Sequence, residues 1–289
     1  MFTQQSETSC WPNPFEMGHI SRSRDLSGKA RLIGATLNDR KATMSDLTGK
    51  RALVTGASRG IGAAIAVDLA TRGADVAITY QQSAGSAATV TDKIRSLGRR
   101  AVAIQADSAD AAAVTGSIAE TVSQIGGLDI LVNNAGVLYS APLTETSLEQ
   151  IDHLIAVNIR ATVLASQAAI AYLPDGGRIV SLGSCLAERV AIDYATVYSM
   201  SKSALLSFTR GLARELGPRG ITVNLVHPGP TDTDMNPADG VGADELRALM
   251  ALGRYASVDD IASAVAFLVS PAARNITGTG ITVDSGMNA

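Results

Sequence analysis

Cysteine is nearly missing from this chain: two in 289 residues, Cys10 and Cys185. Thiols so few and so far apart form no disulfide framework and no metal clip, and they fit a reducing compartment. Histidine is almost as scarce. His19, His153 and His227 are scattered, with no H-x-x-H or H-E-x-x-H spacing, so no metal site is expected. Neither sign of charge dominates. The formal net charge is −3 with no basic cluster, which argues against a nucleic-acid partner. Aromatic residues make up only 4%, too few for a platform on which single-stranded bases stack. The sequence has no unbroken apolar run of the roughly 18 residues that a membrane span needs, so none is expected. What is present is 46% hydrophobic and 18% charged residues, enough apolar material for a globular protein with a substantial core.

Residues 1–43 differ from the rest. They include Pro12 and Pro14, carry six basic against four acidic residues and show no sustained period. They lack the apolar stretch of a secretory signal and are too acidic for a good transit peptide. They read as a disordered or spurious N-terminal extension. Met44 opens "MSDLTGKRALVTG", where the pattern begins, and reads as a real or alternative start of one domain over 44–289.

From Lys50 onward, short apolar runs alternate with longer segments of helical spacing. The expected strands are 51–56, 75–80, 101–107, 128–136, 177–184, 221–230 and 280–286. Helices are expected over 62–73, 87–98, 112–126, 148–172, 194–216 and 258–269. Several of the strand runs are continuously apolar, the mark of a parallel sheet buried on both faces. Right-handed crossovers then give an α/β fold: a single doubly wound (Rossmann) three-layer sandwich with a seven-stranded parallel sheet. Ligands of such sheets bind beyond the carboxyl ends of the strands.

The first strand runs into "TGASRGIG" (55–62), with Gly56, Gly60 and Gly62 in G-x-x-x-G-x-G spacing. Placed between a strand and a helix, this is a dinucleotide loop. Gly56 allows a tight turn, Gly60 lets backbone approach a pyrophosphate, and Gly62 lets helix and strand pack closely. Ser58 and Ile61 lie in the same loop. An NAD site places Asp or Glu about 20 residues further on. Here Tyr80 and Gln81 occupy that place, and Asp75 lies at the wrong end of the strand. No carboxylate there repels a 2′-phosphate, and the guanidinium of Arg59 can reach one. The expected cofactor is NADP(H).

Further motifs follow in order: Asp107 after the third strand, "NNAG" (133–136), Asn158, Ser184 in "GRIVSLGS", Tyr198-x-x-x-Lys202 and "PGPTDTDM" (228–235). Over about residues 46–289 the chain resembles the short-chain dehydrogenase/reductase superfamily, and among its members 3-oxoacyl-carrier-protein reductase-like and biofilm-dispersal-mediator-like bacterial proteins. The resemblance implies cofactor contacts from Asp107, Ser108, Asn134, Ala135 and Gly136, and from Pro228 and Gly229. It also implies a hydroxyl contact from Thr233 or Thr231, between which the sequence does not choose. A homotetramer or homodimer and a cytoplasmic location are implied as well.

Hydride transfer to a ketone leaves an alkoxide that needs a proton and oxyanion stabilisation. A phenol exchanges protons near neutrality only with help, such as a nearby cation. Residues four apart share a helix face, which pairs Tyr198 with Lys202. Tyr194 is eight residues away and reads as pocket wall or packing. Lys202 is also expected to bond the cofactor ribose. Ser184 is expected to orient the substrate carbonyl, and Asn158 to hold a water that relays protons from Lys202. Cys185 reads as a small buried residue, with no His placed to activate it. Residues 231–253 read as a lid. Its Leu246, Leu249, Met250 and Leu252, with Leu138, Tyr139 and Leu186, are expected to make an apolar pocket for a ketone or 3-oxoacyl group. The competing reading is an NADP- or cyclic-di-nucleotide-binding regulator on the same fold.

Overall fold

Strands that are apolar on both sides need cover on both faces, and the computed structural model, described for residues 46–289, supplies it. Seven parallel strands form one sheet: β1 (Arg51–Val54), β2 (Asp75–Tyr80), β3 (Ala101–Gln105), β4 (Ile130–Asn133), β5 (Arg178–Leu182), β6 (Thr222–Pro228) and β7 (Gly280–Val283). Their order is β3-β2-β1-β4-β5-β6-β7. The order reverses between β1 and β4, which opens a crevice at their carboxyl ends.

The helices are α1 (Gly60–Thr71), α2 (Ala84–Ser96), α3 (Ala111–Ile125), α4 (Leu148–Leu154), α5 (Ala161–Ile170), α6 (Thr196–Leu216), α7 (Ala243–Ala248) and α8 (Val258–Val269). Ile65, Leu69, Ile78, Ile94 and Val265 belong to one core cluster. Leu53, Ile118, Leu131, Ile179 and Val223 belong to the other. The sheet is thus the middle of three layers, as expected.

Local chemistry sets the helix starts. Asp110 caps α3 by accepting from the Ala112 and Ala113 amides. Ser147 and Gln150 form a capping box on α4, and Ser257 and Asp260 form one on α8, each satisfying amides that the first turn leaves free. Asp75, at the start of β2, takes Arg99 and Arg100 at 2.8 Å each. Its carboxylate is therefore a sheet-end ion cluster, remote from the carboxyl ends.

The expected helix over 148–172 is one element broken in the middle. Residues Ile155–Arg160 form a π-helical turn between α4 and α5. The whole stretch, Leu148–Ile170, has a mean hydropathy of 1.2 in its most apolar window, enough by length and composition to cross a membrane, but half of that window is buried within the fold. It is the only such helix among the described residues. The expected fourth strand ends early, at Asn133, because the next residues leave the ladder to bond the glycine loop. The expectation for residues 1–43 lies outside the described residues.

Candidate active site

The loop from β1 into α1 is shaped by its glycines. Gly56 has φ +62°, and a Cβ there would stand 2.8 Å from Ala135 Cα. At Gly62 a Cβ would meet Asn134 Nδ2 at 2.4 Å and Gly56 O at 2.8 Å. Asn134 explains that closeness: its Nδ2 donates to the carbonyls of Thr55 at 2.8 Å and Gly56 at 3.0 Å. Thr55 Oγ1 in turn accepts from the amides of Asn134 and Ala135. The two loops flanking the topological switch are thereby tied into one rigid cradle. Gly60 opens α1 with φ +56°, and only the Thr233 side chain comes within 4 Å of its missing Cβ. No side chain caps α1, so its first amides remain free for an anion.

Above the cradle is a cavity of about 550 Å³. Ser58, Arg59, Gly60 and Ile61 line it from the first loop, Gln81 from the end of β2, and Asp107 and Ser108 from the end of β3. Asn134, Ala135 and Gly136 line it after β4, and Pro228, Gly229, Thr231 and Thr233 after β6. Ser184, Tyr198 and Lys202 close the far side. The glycine cradle and the length of this trough fit a dinucleotide. Of the expected catalytic and cofactor-binding residues, Asn158 alone does not touch the cavity; it is buried behind the wall.

Two threonines share the last loop. Thr231 Oγ1 donates to Gly229 O at 3.0 Å, and Thr233 Oγ1 accepts from the Asn236 amide at 3.3 Å. Arg59 is exposed but paired: its Nη1 lies 3.2 Å from Asp234 Oδ2 across the cavity mouth. Both side chains are about 70% exposed (67% and 72%), so the pair is weak and exchangeable.

Tyr198 and Lys202 share one face of α6. Lys202 Nζ lies 5.9 Å from the centre of the Tyr198 ring and donates to Leu182 O at 2.9 Å. The lysine is buried and has no carboxylate partner among the described residues, and burial pushes it down to about 8. Burial pushes the Tyr198 phenol up to about 12, with Ser184 pulling the other way. The expected lowering of the phenol by the lysine is therefore not what this arrangement produces. Burial of the phenol outweighs the help of the nearby ammonium.

Ser184 lies two residues past β5, with its Oγ accepting from the Leu186 amide at 3.1 Å. Beneath it His227, fully buried, places Nδ1 2.9 Å from Ser184 O. Gly183 and Gly280 make room for that ring: a Cβ on either would come within 2.5 Å of it. Cys185 is buried, and burial pushes its thiol up to about 11, which fits an inert packing residue.

Asn158 sits in the π-helical turn. Its Oδ1 accepts from the Val137 amide at 2.9 Å, and its Nδ2 donates to Val137 O at 3.0 Å and Ser201 Oγ at 3.0 Å. It clamps the cavity wall to the residue beside Lys202. A Cβ on Gly136 would lie 3.3 Å from Lys202 Nζ and 3.4 Å from Asn158 Oδ1, so both side chains flank that glycine.

The pocket wall needs correction. Tyr194 has φ +62° and is 57% exposed; it is a turn residue ahead of α6 and does not line the cavity. Leu138, Leu186 and Leu246 do line it. Met250 packs into the cluster behind them, Leu249 and Leu252 are exposed, and Tyr139 bonds His153 instead. His153, Ile192, Asp234, Asn236 and Met287 line the cavity without having been singled out from the sequence. None belongs to a repeating spacing. Met287 arrives only through the tail after β7, packed on Cys185.

Comparison with known proteins places the fold among oxidoreductases crystallised with NADP. The Enoyl-(Acyl carrier protein) reductase family model matches residues 56–288. The cyclic-di-GMP-binding biofilm dispersal mediator protein of Escherichia coli K12 is 42% identical over 246 residues, 85% of this chain and 100% of the relative. A short chain dehydrogenase from Burkholderia cenocepacia J2315, crystallised with NADP, is 59% identical with a TM-score of 0.83 over 84% of this chain and 99% of its own. A blue fluorescent protein from a metagenomic library, in complex with NADPH, is 52% identical with a TM-score of 0.83 over 84% of this chain and 100% of its own.

Proposed function

The chain belongs to the short-chain dehydrogenase/reductase family, and from that premise we propose that it is an NADPH-dependent reductase that turns a ketone into a secondary alcohol. The observation that carries this reading is the convergence of Ser184, Tyr198 and Lys202 on the cavity that the glycine cradle opens.

The cradle residues Gly56, Ser58, Gly60, Ile61 and Gly62 would hold the pyrophosphate, and Asp107 and Ser108 the adenine end. Arg59 and Gln81 would meet the 2′-phosphate. Thr231, Thr233, Pro228 and Gly229 would hold the nicotinamide end, with Asn134, Ala135 and Gly136 shaping the floor. When bound, NADPH supplies the hydride that reduces the carbonyl carbon. The chain does the rest. Ser184 and Tyr198 hold the ketone oxygen, and Tyr198 gives it a proton. A phenol near 12 is fully protonated at neutral pH, the form that a reduction requires. Lys202 spends one of its three donors on Leu182 O. The other two are available to ribose hydroxyls and to the proton path. Asn158 positions this group by fixing Val137 and Ser201.

A second reading rests on the relative that is described as a cyclic-di-GMP-binding mediator. On that reading the same cavity senses a nucleotide and the chemistry is vestigial. Purified protein titrated with NADPH and a panel of ketones separates the two. Consumption of NADPH with any ketone supports the reductase. Tight cyclic-di-nucleotide binding without turnover on any carbonyl supports the regulator.

A further inference from the structure

Two polar side chains near the cavity have no role in that mechanism. Tyr139 Oη lies 2.7 Å from His153 Nδ1, with the rings 5.9 Å apart. His153 stands on α4, which packs on α6, the helix that carries Tyr198. It lines the cavity, whereas Tyr139 supports it from behind. Among the described residues, His153 Nε2 is neither buried nor bonded within the chain.

The Tyr139 contact decides what that nitrogen offers. A phenol is the better proton donor and imidazole nitrogen the better acceptor, so Tyr139 donates to Nδ1. The ring proton of neutral His153 then sits on Nε2. If the ring is protonated, Nε2 still carries a hydrogen. In either state the cavity meets an N–H donor held in a fixed direction. Around it the wall is mostly apolar, with Leu138, Val157, Leu186, Ile192, Leu246 and Met287. Asp234 and Asn236 also line the cavity, but Asp234 pairs with Arg59 and Asn236 Oδ1 accepts from Tyr255.

We infer that His153 is a specificity-determining residue, and that the substrate is a ketone bearing a second hydrogen-bond-accepting oxygen, as in a keto ester. This rests on the reductase reading. Ser184 and Tyr198 take the reacting oxygen, and His153 Nε2–H takes the second one, which fixes the direction in which the chain of the substrate lies across the apolar wall.

The test pairs two ketones of equal chain length, ethyl 3-oxobutanoate and 2-heptanone, against wild type and His153→Phe. The variant is expected to lose about tenfold more kcat/KM on the keto ester than on 2-heptanone, the size of one hydrogen bond, mostly in KM. Tyr139→Phe, which frees the ring to change tautomer, is expected to act in the same direction and less strongly. Equal losses on both ketones would overturn the inference. Calorimetric binding of both ketones to Tyr198→Phe protein loaded with NADPH reads the same contact without turnover. Preference for the keto ester that disappears on adding His153→Phe upholds the inference even if the wild type reduces neither ketone, in which case the reductase reading alone fails. Absence of any preference there overturns it.

Discussion

Arg59 has a partner in the structure that its place in the sequence does not reveal. Its position in the glycine loop marks it for a 2′-phosphate, but its guanidinium rests on Asp234, a residue from the far side of the cavity mouth. A phosphate must compete with that carboxylate. Arg59→Ala is expected to weaken NADPH binding about tenfold or more while leaving NADH nearly unchanged, measured by fluorescence titration. Equal losses for both cofactors would contradict a 2′-phosphate contact. Lys202 carries a second consequence. Folded, it releases its proton near 8, below the ordinary 10.5. Below pH 8 both folded and unfolded chains hold the proton, and the folded chain bears the full cost of burying the charge. Between pH 8 and 10.5 the unfolded chain binds more protons, so stability rises with pH across that window. Lys202→Met is therefore expected to be more stable than wild type at pH 7, by about 2 kcal/mol. The gap should close as pH rises towards 10.5, as followed by chemical denaturation. A variant that is less stable at pH 7 would contradict the account of Lys202.

At the scale of elements, the π-helical turn at Ile155–Arg160 carries Asn158, a buried amide. The turn rotates Asn158 inward, where both ends of its amide are used by Val137 and Ser201. Asn158→Ala leaves the Val137 amide and carbonyl without these partners. It is expected to destabilise the fold by about 2 kcal/mol and to lower kcat. An unchanged melting temperature would show that the clamp is not structural. The strands, the order of helices and the glycine cradle were legible because each rests on local rules: apolar runs, helical spacing, turn glycines. Tyr198 and Lys202 were legible for the same reason, being four apart on one helix. Tyr194 was misplaced because its positive φ turns its side chain outward, and no spacing rule reports that. His153, Asp234 and Met287 were missed because each reaches the cavity through a tertiary approach, of one helix beside another, of one loop across a mouth, or of the tail after the last strand. His227 was passed over because its role depends on two glycines, Gly183 and Gly280, far apart in the sequence.

At the scale of the whole molecule, the sheet order puts the cradle and the Ser184, Tyr198 and Lys202 group on one edge, with buried side chains of two core clusters behind them. All residues assigned to the cavity lie between Gly56 and Met287. A chain that starts at Met44 is therefore expected to keep its melting temperature and its affinity for NADPH. Loss of soluble protein on that truncation would show that residues 1–43 take part in folding.

The central claim is that the Ser184, Tyr198 and Lys202 group is working chemistry on an NADPH-dependent reductase. It is tested most directly by NADPH consumption with a keto ester, comparing wild type with Tyr198→Phe, alongside NADPH titration of both. The account predicts turnover by the wild type, loss of at least about 10²-fold in the variant, and equal NADPH affinity in the two. Turnover retained by Tyr198→Phe would contradict it.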